Sequence, residues 1–304
     1  MPIFDLCLAW EWQYDEDFVR VLEKACENMG VSLLQVTPHN LDSILRSLEL
    51  NEITFRALLD RASDTNQQFL SLVEWARTHH VYRINPYGYA RQSWNKAGIH
   101  RLFTMAGLHT PFTIIIPPYC EQPEISLLNL NIVGSIFSIK PAHGGGGKGV
   151  KNAARCWDEV LAARIEFPND QYLLQMHVEP AVLGIRQAWY RVLYCGGESY
   201  LSWWDTCTHH YTPVTQEEEE YYCLQRLREI TCQISEITRL DLFSTEIALT
   251  AENDFIVVDY VNDPVDLRLQ SKASGGVPDE IISAISHRIT QLVLERALVE
   301  TTRV

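Results

Sequence analysis

The sequence has neither a long apolar run nor a basic leader. No stretch of its 304 residues approaches the roughly 18 consecutive apolar residues that a membrane-spanning helix needs. The first ten residues, Met1–Trp10, place no positive charge ahead of an apolar segment, as a secretory signal would. We therefore expect a soluble, cytoplasmic protein.

Basic residues are also in deficit. The chain has 25 Lys and Arg against 39 Asp and Glu, which gives a formal net charge of −14. A protein that neutralises nucleic-acid phosphates or an anionic lipid surface needs the opposite sign, so we set DNA, RNA and membrane surfaces aside as partners. Hydrophobic residues make up 46% of the chain, which is enough for the cores of two or three subdomains.

Close-spaced cysteine pairs are missing too. The eight cysteines include no Cys-x-x-Cys motif, so we expect reduced and mostly buried thiols. Cys207, His209 and His210 form a cluster that could bind zinc, but no second close-spaced pair accompanies it. Zinc binding is therefore the less favoured interpretation of this cluster.

Lysine is scarce, and half of it is clustered. Only six of the 25 basic residues are lysine, and Lys140, Lys148 and Lys151 lie within one short segment. An ammonium group is a compact point charge that suits phosphate oxygens. The clustering favours a phosphate site, and a solvated loop with chance clustering is the alternative.

The overlapping segment Ser138–Val150 contains five of the 15 glycines, four of them in succession at Gly144, Gly145, Gly146 and Gly147. Glycine loses more backbone freedom on folding than any other residue, so such a run is costly unless the backbone must approach a ligand closely. The run indicates a lid over phosphates, and a flexible hairpin tip is the alternative.

The first ninety residues alternate between apolar strands and helices. Strands are predicted at 3–9, 31–36, 53–59 and 81–84. Helices are predicted at 16–29, 37–50 and 65–79. This alternation is typical of a small parallel α/β domain, whose ligands bind at the carboxyl ends of the strands.

The remaining chain mixes helices with strand pairs. Helices are predicted at 91–105, 157–167, 217–237 and 278–298. Strands are predicted at 112–116, 132–140, 149–155, 172–178, 187–195, 199–205, 242–250 and 255–261. We expect three parts, at 1–90, 91–177 and 178–304.

Two strands near the carboxyl terminus bring carboxylates together. The link 251–254 between them is rich in turn residues. If these four residues form the loop, Thr250 pairs with Phe255, and Glu246 then lies directly opposite Asp259. Cross-strand neighbours have Cβ atoms about 4.5 to 5.5 Å apart, and like charges there are destabilising.

The repulsion between these carboxylates must be relieved by a proton, a basic partner or a metal ion. Mg²⁺ is commonly held by one or two carboxylates together with substrate phosphates, and Asn262 supplies a further oxygen. Solvated side chains, or a register shifted by one residue, are the alternative.

Two familiar phosphate motifs fit poorly. Gly144-x-Gly146-x-x-Gly149 has the form of a dinucleotide fingerprint, but no apolar helix and no ribose-binding acid follow it. A Walker loop needs Ser or Thr after its lysine, whereas Gly149 follows Lys148.

The order of these features resembles the ATP-grasp family, in which two α+β subdomains clasp ATP. A glycine hairpin follows Lys140, and the carboxylate hairpin lies more than a hundred residues later. Asn85–Pro111, with Lys96 and then Gly107-Leu-His-Thr-Pro111, resembles the entry to the family's central domain. The resemblance covers residues from about 83 to 271. It implies an α/β and α+β fold, with the small parallel domain preceding the two ATP-grasp subdomains.

The resemblance implies a role for each nucleotide-site residue. Lys96 and Lys140 would bind phosphates beneath a lid of Gly144, Gly145, Gly146, Gly147 and Lys148. The hinge whose backbone reads adenine would be Gln175, Met176, His177 and Val178. The acid that often holds ribose, two residues before Arg191, is here Trp189, so Glu179 is the substitute.

The resemblance also implies catalytic and metal residues. Arg191 would contact the transferring phosphoryl group, and Arg268 an acyl phosphate or a substrate carboxylate. The implied metal ligands are Glu246, Asp259 and Asn262. The last motif is one residue longer than the usual Glu-x-Asn, so Asn262 and Asp263 both remain open as ligand.

The implied activity is that of an ATP-dependent carboxylate–amine ligase that acts through an acyl phosphate on small molecules or a peptide. ATP and one or two Mg²⁺ ions are the implied cofactors, with Mn²⁺ as a replacement. A small-molecule kinase on the same fold and a non-catalytic ATP- or ADP-binding regulator are the alternatives, and a homodimer is left open. Residues 11–17 and 268–278 are the expected substrate walls, where Glu11 and Asp15 suggest an amine.

Overall fold

The computed structural model describes residues 1–125 and 129–297. Its first four strands are β1 (Ile3–Trp10), β2 (Leu33–Val36), β3 (Thr54–Arg61) and β4 (Tyr82–Ile84). The helices among them are α1 (Glu16–Met29), α2 (Leu41–Glu49) and α3 (Leu70–Thr78), with short 3₁₀ helices at Gln13–Asp15 and Gln67–Phe69. The strands form one parallel sheet in the order β2-β1-β3-β4. The predicted parallel α/β arrangement is confirmed.

A second sheet, here called the middle sheet, is antiparallel. Its strands are β5 (Thr113–Ile116), β6 (Phe137–Pro141), β7 (Lys151–Ala154) and β8 (Tyr172–Met176), in the order β5-β8-β6-β7. Its helices are α4 (Tyr87–Ser93), α5 (Lys96–Met105) and α6 (Trp157–Glu166), and a 3₁₀ helix spans Leu130–Val133. The glycine run connects β6 to β7, as predicted.

The helix predicted at 91–105 is two helices. Asn95 separates α4 from α5, and its side chain accepts a hydrogen bond from the Gly98 amide at 2.9 Å. An asparagine at this position satisfies an amide that the first helical turn would leave unpaired. The cap makes Lys96 the first residue of α5.

The third sheet, here called the large sheet, has five antiparallel strands. They are β11 (Trp189–Cys195), β12 (Glu198–Asp205), β13 (His210–Pro213), β14 (Leu242–Leu249) and β15 (Phe255–Asn262), in the order β13-β12-β11-β14-β15. A two-stranded hairpin of β9 (Val182–Leu183) and β10 (Arg186–Gln187) precedes them. The helices are α7 (Gln216–Tyr221), α8 (Arg226–Thr238) and α9 (Asp279–Leu292), which a π-helical turn extends over Val293–Ala297. The predicted end of the last helix, Leu298, lies outside the described residues.

The helix predicted at 217–237 is also interrupted. α7 begins with the expected capping box, in which Thr215 and Glu218 satisfy each other's backbone amides. Cys223 then adopts a positive φ of 55°, which no continuous right-handed helix accommodates. The chain therefore turns before α8 begins.

The pairing of β14 with β15 follows a different register from the predicted one. Leu249, not Thr250, lies opposite Phe255, because the connecting loop has five residues rather than four. An extra residue at Val258 then forms a β-bulge that shifts the register by one position. The bulge brings Glu246 opposite Asp259, so the predicted carboxylate pair is confirmed although the predicted loop is wrong.

Helices α1 and α9 bury their apolar faces in one core. That core joins residues of the parallel sheet, such as Leu6 and Leu8, to residues of the large sheet, such as Leu193 and Leu242. The boundaries at 90 and 177 stay a prediction. No helix in the described ranges is both long and apolar enough to cross a lipid bilayer.

The expectation of mostly buried cysteines is wrong. All eight thiols are free, but only Cys7, Cys26 and Cys195 are buried. The other five are exposed because most of them occupy turns and helix ends, such as Cys156 at the start of α6 and Cys207 in the turn after β12.

Candidate active site

A charged row runs across the large sheet. Glu246 on β14 lies opposite Arg191 of β11 on one side and opposite Asp259 of β15 on the other. Arg191 Nη1 is 3.1 Å from Glu246 Oε1, and both side chains are only 15% exposed. The predicted phosphoryl-binding arginine and two predicted metal ligands therefore share one face of the sheet.

Glu246 is the most constrained member of this row. Its second carboxylate oxygen accepts a hydrogen bond from Trp189 Nε1 at 3.1 Å. Burial raises the pKa of Glu246, and the charge of Asp259 raises it further, while Arg191 and Lys140 oppose the shift. The carboxylate is thus held by cations that offset its repulsion from Asp259.

Lys140 reaches the row from the middle sheet. It lies on β6, and its Nζ donates to the carbonyl oxygen of Val258 at 3.2 Å. This carbonyl belongs to the bulged residue of β15, which has no cross-strand partner. Burial lowers the pKa of Lys140, and the charges of Asp259 and Glu246 work against that shift.

Lys96 approaches from the start of α5. Its backbone amide donates to Ala142 O at 2.8 Å, and its Nζ donates to Gly144 O. Burial lowers the pKa of Lys96, an effect opposed by the charges of Asp259 and Asp170. The two lysines of the predicted phosphate site therefore stand beside Asp259, one at the base of the glycine loop and one beneath the bulge.

The glycine loop is anchored at both ends. At its start, His143 Nδ1 lies 2.8 Å from Asp170 Oδ1, and the His143 amide donates to Asp170 Oδ2 at 2.8 Å. At its end, Gly149 has a φ of 72°, and an added Cβ would lie 2.6 Å from Phe167 Cε2. Between these anchors Gly144, Gly146 and Gly147 also have positive φ. The loop is an exposed turn whose two ends are held by these contacts.

Lys148 does not join the other lysines. Its Nζ lies 5.9 Å from the centre of the Phe167 ring, at the outer end of the loop. This predicted lid residue therefore contacts the ring that also lies beside Gly149.

The predicted adenine hinge follows the end of β8. Gln175 is buried and donates to Tyr260 Oη at 2.9 Å, which joins the middle and large sheets. The Met176 amide donates to Phe112 O at 2.9 Å, and the Met176 side chain is 38% exposed. In the described part of the chain, the amides and carbonyls of His177 and Val178 have no hydrogen-bond partner, so they are available to a planar ligand.

Glu179, the predicted ribose acid, is exposed and forms no ion pair or hydrogen bond with residues of the described ranges. It lies just beyond the hinge in sequence. The structure neither links it to the charged row nor engages it elsewhere.

Asn262, rather than Asp263, faces the row. Asn262 Nδ2 donates to Asp259 Oδ2 at 3.0 Å, and its amide oxygen accepts no hydrogen bond from the part of the chain that the structure describes. Asp263 instead accepts hydrogen bonds from Asn85 Nδ2 and from Trp94 Nε1, the latter at 3.3 Å. Burial raises the pKa of Asp263 to about 6.

The donor set suits a hard divalent cation. Across residues 1–125 and 129–297, no three His, Cys, Asp or Glu side chains lie together in a way that could hold a metal ion. Cys207, His209 and His210 therefore do not form such a site. Two carboxylates and an amide oxygen remain at Glu246, Asp259 and Asn262. Mg²⁺ is usually bound by one or two carboxylates and completes its shell with water and phosphate oxygens, so these residues fit it.

Arg268 marks the junction of the two predicted substrate walls. It forms a bidentate pair with Asp266, in which Nη2 donates to Oδ2 at 2.6 Å and Nε donates to Oδ1 at 3.0 Å. Its guanidinium carbon lies 5.7 Å from the centre of the Trp12 ring, so segments 11–17 and 268–278 meet here.

Asp15 does not face this junction. It is 1% exposed and pairs with Arg61 at 2.7 Å. The expectation that Asp15 meets a substrate amine is wrong, because the carboxylate is directed inward to a buried guanidinium. Glu11 is exposed.

An aromatic pair lies around Arg191 that the sequence did not predict. The guanidinium carbon lies 4.9 Å from the ring centre of Trp204 and 5.9 Å from that of Tyr211. Burial raises the pKa of Tyr211 to about 12. This contact depends on the register of three neighbouring strands, β11, β12 and β13. The sequence alone does not specify that register.

No protein-family model matches the chain, and neither does any curated protein sequence. Solved structures do resemble it. A RimK-domain ATP-grasp protein from Sphaerobacter thermophilus is 18% identical with a TM-score of 0.63, covering 94% of this chain and 98% of its own. D-alanine–D-alanine ligase from Bacillus anthracis, complexed with ATP, is 9% identical with a TM-score of 0.67 and 99% coverage of both chains.

A third similar structure is the macrocyclase MdnC from Microcystis aeruginosa, bound with its precursor peptide MdnA. It is 10% identical with a TM-score of 0.64, covering 95% of this chain and 99% of its own. All three similarities extend over nearly the whole length of both chains, and they confirm the fold that the sequence resemblance implied. The chain therefore has the fold of the ATP-grasp superfamily.

Proposed function

We propose that this protein is an ATP-dependent ligase that joins a carboxylate to an amine through an acyl phosphate. The observation that carries the proposal is the row Arg191–Glu246–Asp259, with Lys140 and Lys96 brought to it from the middle sheet and α5. The solved structures that resemble the chain include a D-alanine–D-alanine ligase and a peptide macrocyclase, which supports ligase chemistry on this fold.

The reaction has two steps. In the first, a substrate carboxylate oxygen attacks the γ-phosphorus of ATP, the bond to the β-phosphate oxygen breaks, and ADP leaves. In the second, an amine nitrogen attacks the acyl carbon, a C–N bond forms, inorganic phosphate leaves with the C–O bond electrons, and the nitrogen loses a proton. The protein's share of this chemistry is positioning and charge neutralisation.

The chain's own residues supply that positioning. Lys96 and Lys140 offset phosphate charge, and Arg191 contacts the transferring group. The free backbone groups of His177 and Val178 hold the adenine edge, with Glu179 toward the ribose. The glycine loop covers the phosphates and limits access of water to the acyl phosphate.

Glu246 and Asp259, together with the Asn262 amide oxygen, would hold one or two Mg²⁺ ions. A bound metal would supply positive charge that neutralises the charge developing on the phosphate groups. To serve as a ligand, Glu246 must release or share its contact with Arg191, which lies 3.1 Å away. Arg268, beside Asp266 and Trp12, is placed to hold a substrate carboxylate or the acyl phosphate at the far wall of the site.

The test is product analysis with Mg-ATP. The purified protein is incubated with amino acids, small carboxylic acids and short peptides, alone and in pairs, while ADP and inorganic phosphate are measured separately. A ligase releases both only when an amine acceptor is present, whereas a small-molecule kinase releases ADP without phosphate. Absence of nucleotide binding by calorimetry, and of any rise in melting temperature with Mg-ATP, would contradict the proposal.

A further inference from the structure

The guanidinium of Arg191 is held from two directions. On one side it donates to Glu246 at 3.1 Å and to Ser244 at 3.4 Å, the second near the limit of a hydrogen bond. On the other side lie Trp204 and Tyr211, at 4.9 and 5.9 Å from the guanidinium carbon. A guanidinium within about 6 Å of an aromatic ring centre is attracted by the ring face, most strongly by tryptophan.

Strand register explains how this contact arises. The residue directly opposite Arg191 on β12 is Ser202, whose small side chain leaves room above the strand. Trp204 is two positions further along β12, which makes it the diagonal neighbour of Arg191 on the same face. Tyr211 lies directly opposite Trp204 on β13.

The indole of Trp204 is itself fixed. Its ring stacks on His209, with 3° between the planes, and meets the Tyr211 ring edge-on at 4.6 Å. Trp204 is 8% exposed and Tyr211 is 3% exposed. The ring of Trp204 is therefore held by its neighbours and is largely shielded from solvent where it faces Arg191.

The two supports of Arg191 differ once a nucleotide binds. Glu246 is one of the proposed metal ligands, so a bound metal competes with Arg191 for its carboxylate. Among residues 1–125 and 129–297, Arg191 Nε has no hydrogen-bond partner. The aromatic face does not compete with the proposed metal, and the other contact that does not compete is the long hydrogen bond to Ser244 at 3.4 Å.

We infer that Trp204 is a positioning residue that holds the Arg191 guanidinium toward the γ-phosphoryl group of bound ATP. The inference rests on the proposed function. Trp204 acts through Arg191 and touches no reacting atom. Its loss therefore affects ligands that carry a γ-phosphoryl group and spares those that lack one.

Calorimetry with two probes tests this. Mg-AMPPNP carries a γ-phosphoryl group, and Mg-ADP does not. Trp204→Leu is expected to weaken Mg-AMPPNP binding roughly tenfold and Mg-ADP binding less than about twofold, and Trp204→Phe to recover much of the loss because a ring face is retained.

The matched control is Trp203→Leu, which removes an equally buried indole from the same strand. Trp203 packs against Tyr190 in the core on the other face of the large sheet, away from Arg191. This variant is expected to change the binding of both nucleotides by the same factor. Equal weakening of both probes by Trp204→Leu as well would show a structural role only, and the inference would be wrong.

A double-mutant cycle with Arg191→Met covers the case in which Trp204→Leu folds poorly. In the Arg191→Met background, Trp204→Leu or the milder Trp204→Phe is expected to cause no further loss of Mg-AMPPNP affinity, because residues that act through one contact are not additive. Additive losses overturn the inference. A wild-type protein that binds neither nucleotide contradicts the proposed function itself, and the inference falls with it.

Discussion

Glu246 is attracted by one neighbouring side chain and repelled by another. It lies between a cation at 3.1 Å and a second carboxylate across the next strand pair. The sequence indicates that such a carboxylate pair needs a proton, a basic partner or a metal ion. The structure supplies the basic partner in Arg191, and leaves the metal ion as the partner that a nucleotide would bring.

Replacing either carboxylate should abolish Mg-dependent chemistry without unfolding the protein. We expect Glu246→Gln and Asp259→Asn each to lower Mg-ATP turnover about 100-fold or more, because each removes a carboxylate ligand of the metal ion whose charge would stabilise the transferring phosphate. Steady-state rates and melting temperatures are measured together.

The control for these variants is Glu252→Gln, in the exposed turn between β14 and β15. It makes the same chemical change at a distance from the row and should behave as wild type. Full activity of both Glu246→Gln and Asp259→Asn would rule out the proposed metal site.

At the scale of single residues, the sequence was informative where a side chain has a chemical signature. Lys140 stands out in a lysine-poor chain, and Glu246 and Asp259 stand out in apolar strands. Trp204 has no such signature, because a tryptophan in a strand is usually a core residue. Its contact with Arg191 follows from the register of β12, which only the assembled sheet specifies.

At the scale of elements, the β-bulge at Val258 decides the geometry of the site. Without it, the five-residue loop would leave Glu246 one position out of register with Asp259. Val258, the extra residue of the bulge, has no residue opposite it on β14, and Lys140 Nζ donates to its carbonyl oxygen at 3.2 Å. The sequence predicts the carboxylate pair from a four-residue loop without a bulge. The structure contains the same pair because the extra loop residue and the bulge shift the register in opposite directions.

Helix breaks were harder to predict than strand pairs. The apolar periodicity continues through both interruptions, so the pattern alone predicts single helices. The breaks come from Asn95, which caps α5, and from the left-handed backbone of Cys223. Both breaks are local, and the spacing of apolar residues along the sequence does not reveal them.

The glycine loop offers a test at this scale. Gly149→Ala forces a side chain into a left-handed backbone with Phe167 in the way, and should cost about 1 to 2 kcal/mol in unfolding free energy. It should also raise the KM for Mg-ATP, because the loop end moves. Denaturant unfolding and steady-state kinetics measure the two effects.

Gly145→Ala is the matched control in the same loop. Gly145 has no atom within 4 Å of an added Cβ and no positive φ. This variant should have the unfolding free energy of wild type, because the added methyl group meets neither a neighbouring atom nor a strained backbone. Identical behaviour of the two variants would mean that the Phe167 contact does not fix the loop.

At the scale of the whole molecule, Arg61 connects distant parts of the chain. It lies at the end of β3, pairs with Asp15 at 2.7 Å, and donates to the carbonyl oxygen of Val265 at 3.0 Å. Both side chains of the pair are at most 3% exposed. The pair thus ties the parallel sheet to the segment that follows β15.

Removing one partner of this pair should be costly. Arg61→Met leaves the Asp15 carboxylate buried without a cation, and we expect a loss of about 3 to 5 kcal/mol in the free energy of unfolding. The double variant Arg61→Met with Asp15→Leu removes both charges and should recover much of that loss. Urea unfolding of the three proteins measures this, and a single variant as stable as the double would contradict it.

The pairing of Arg191 with Glu246 has a consequence for the order in which ligands arrive. Before any nucleotide binds, the two carboxylates of the row are already matched by Arg191 and Lys140, with Lys96 close to Asp259. A free divalent cation therefore meets little net attraction, whereas a metal already carried by triphosphate brings the negative charge that these three side chains lack. We therefore expect the proposed site to bind the metal–nucleotide complex in preference to the metal alone.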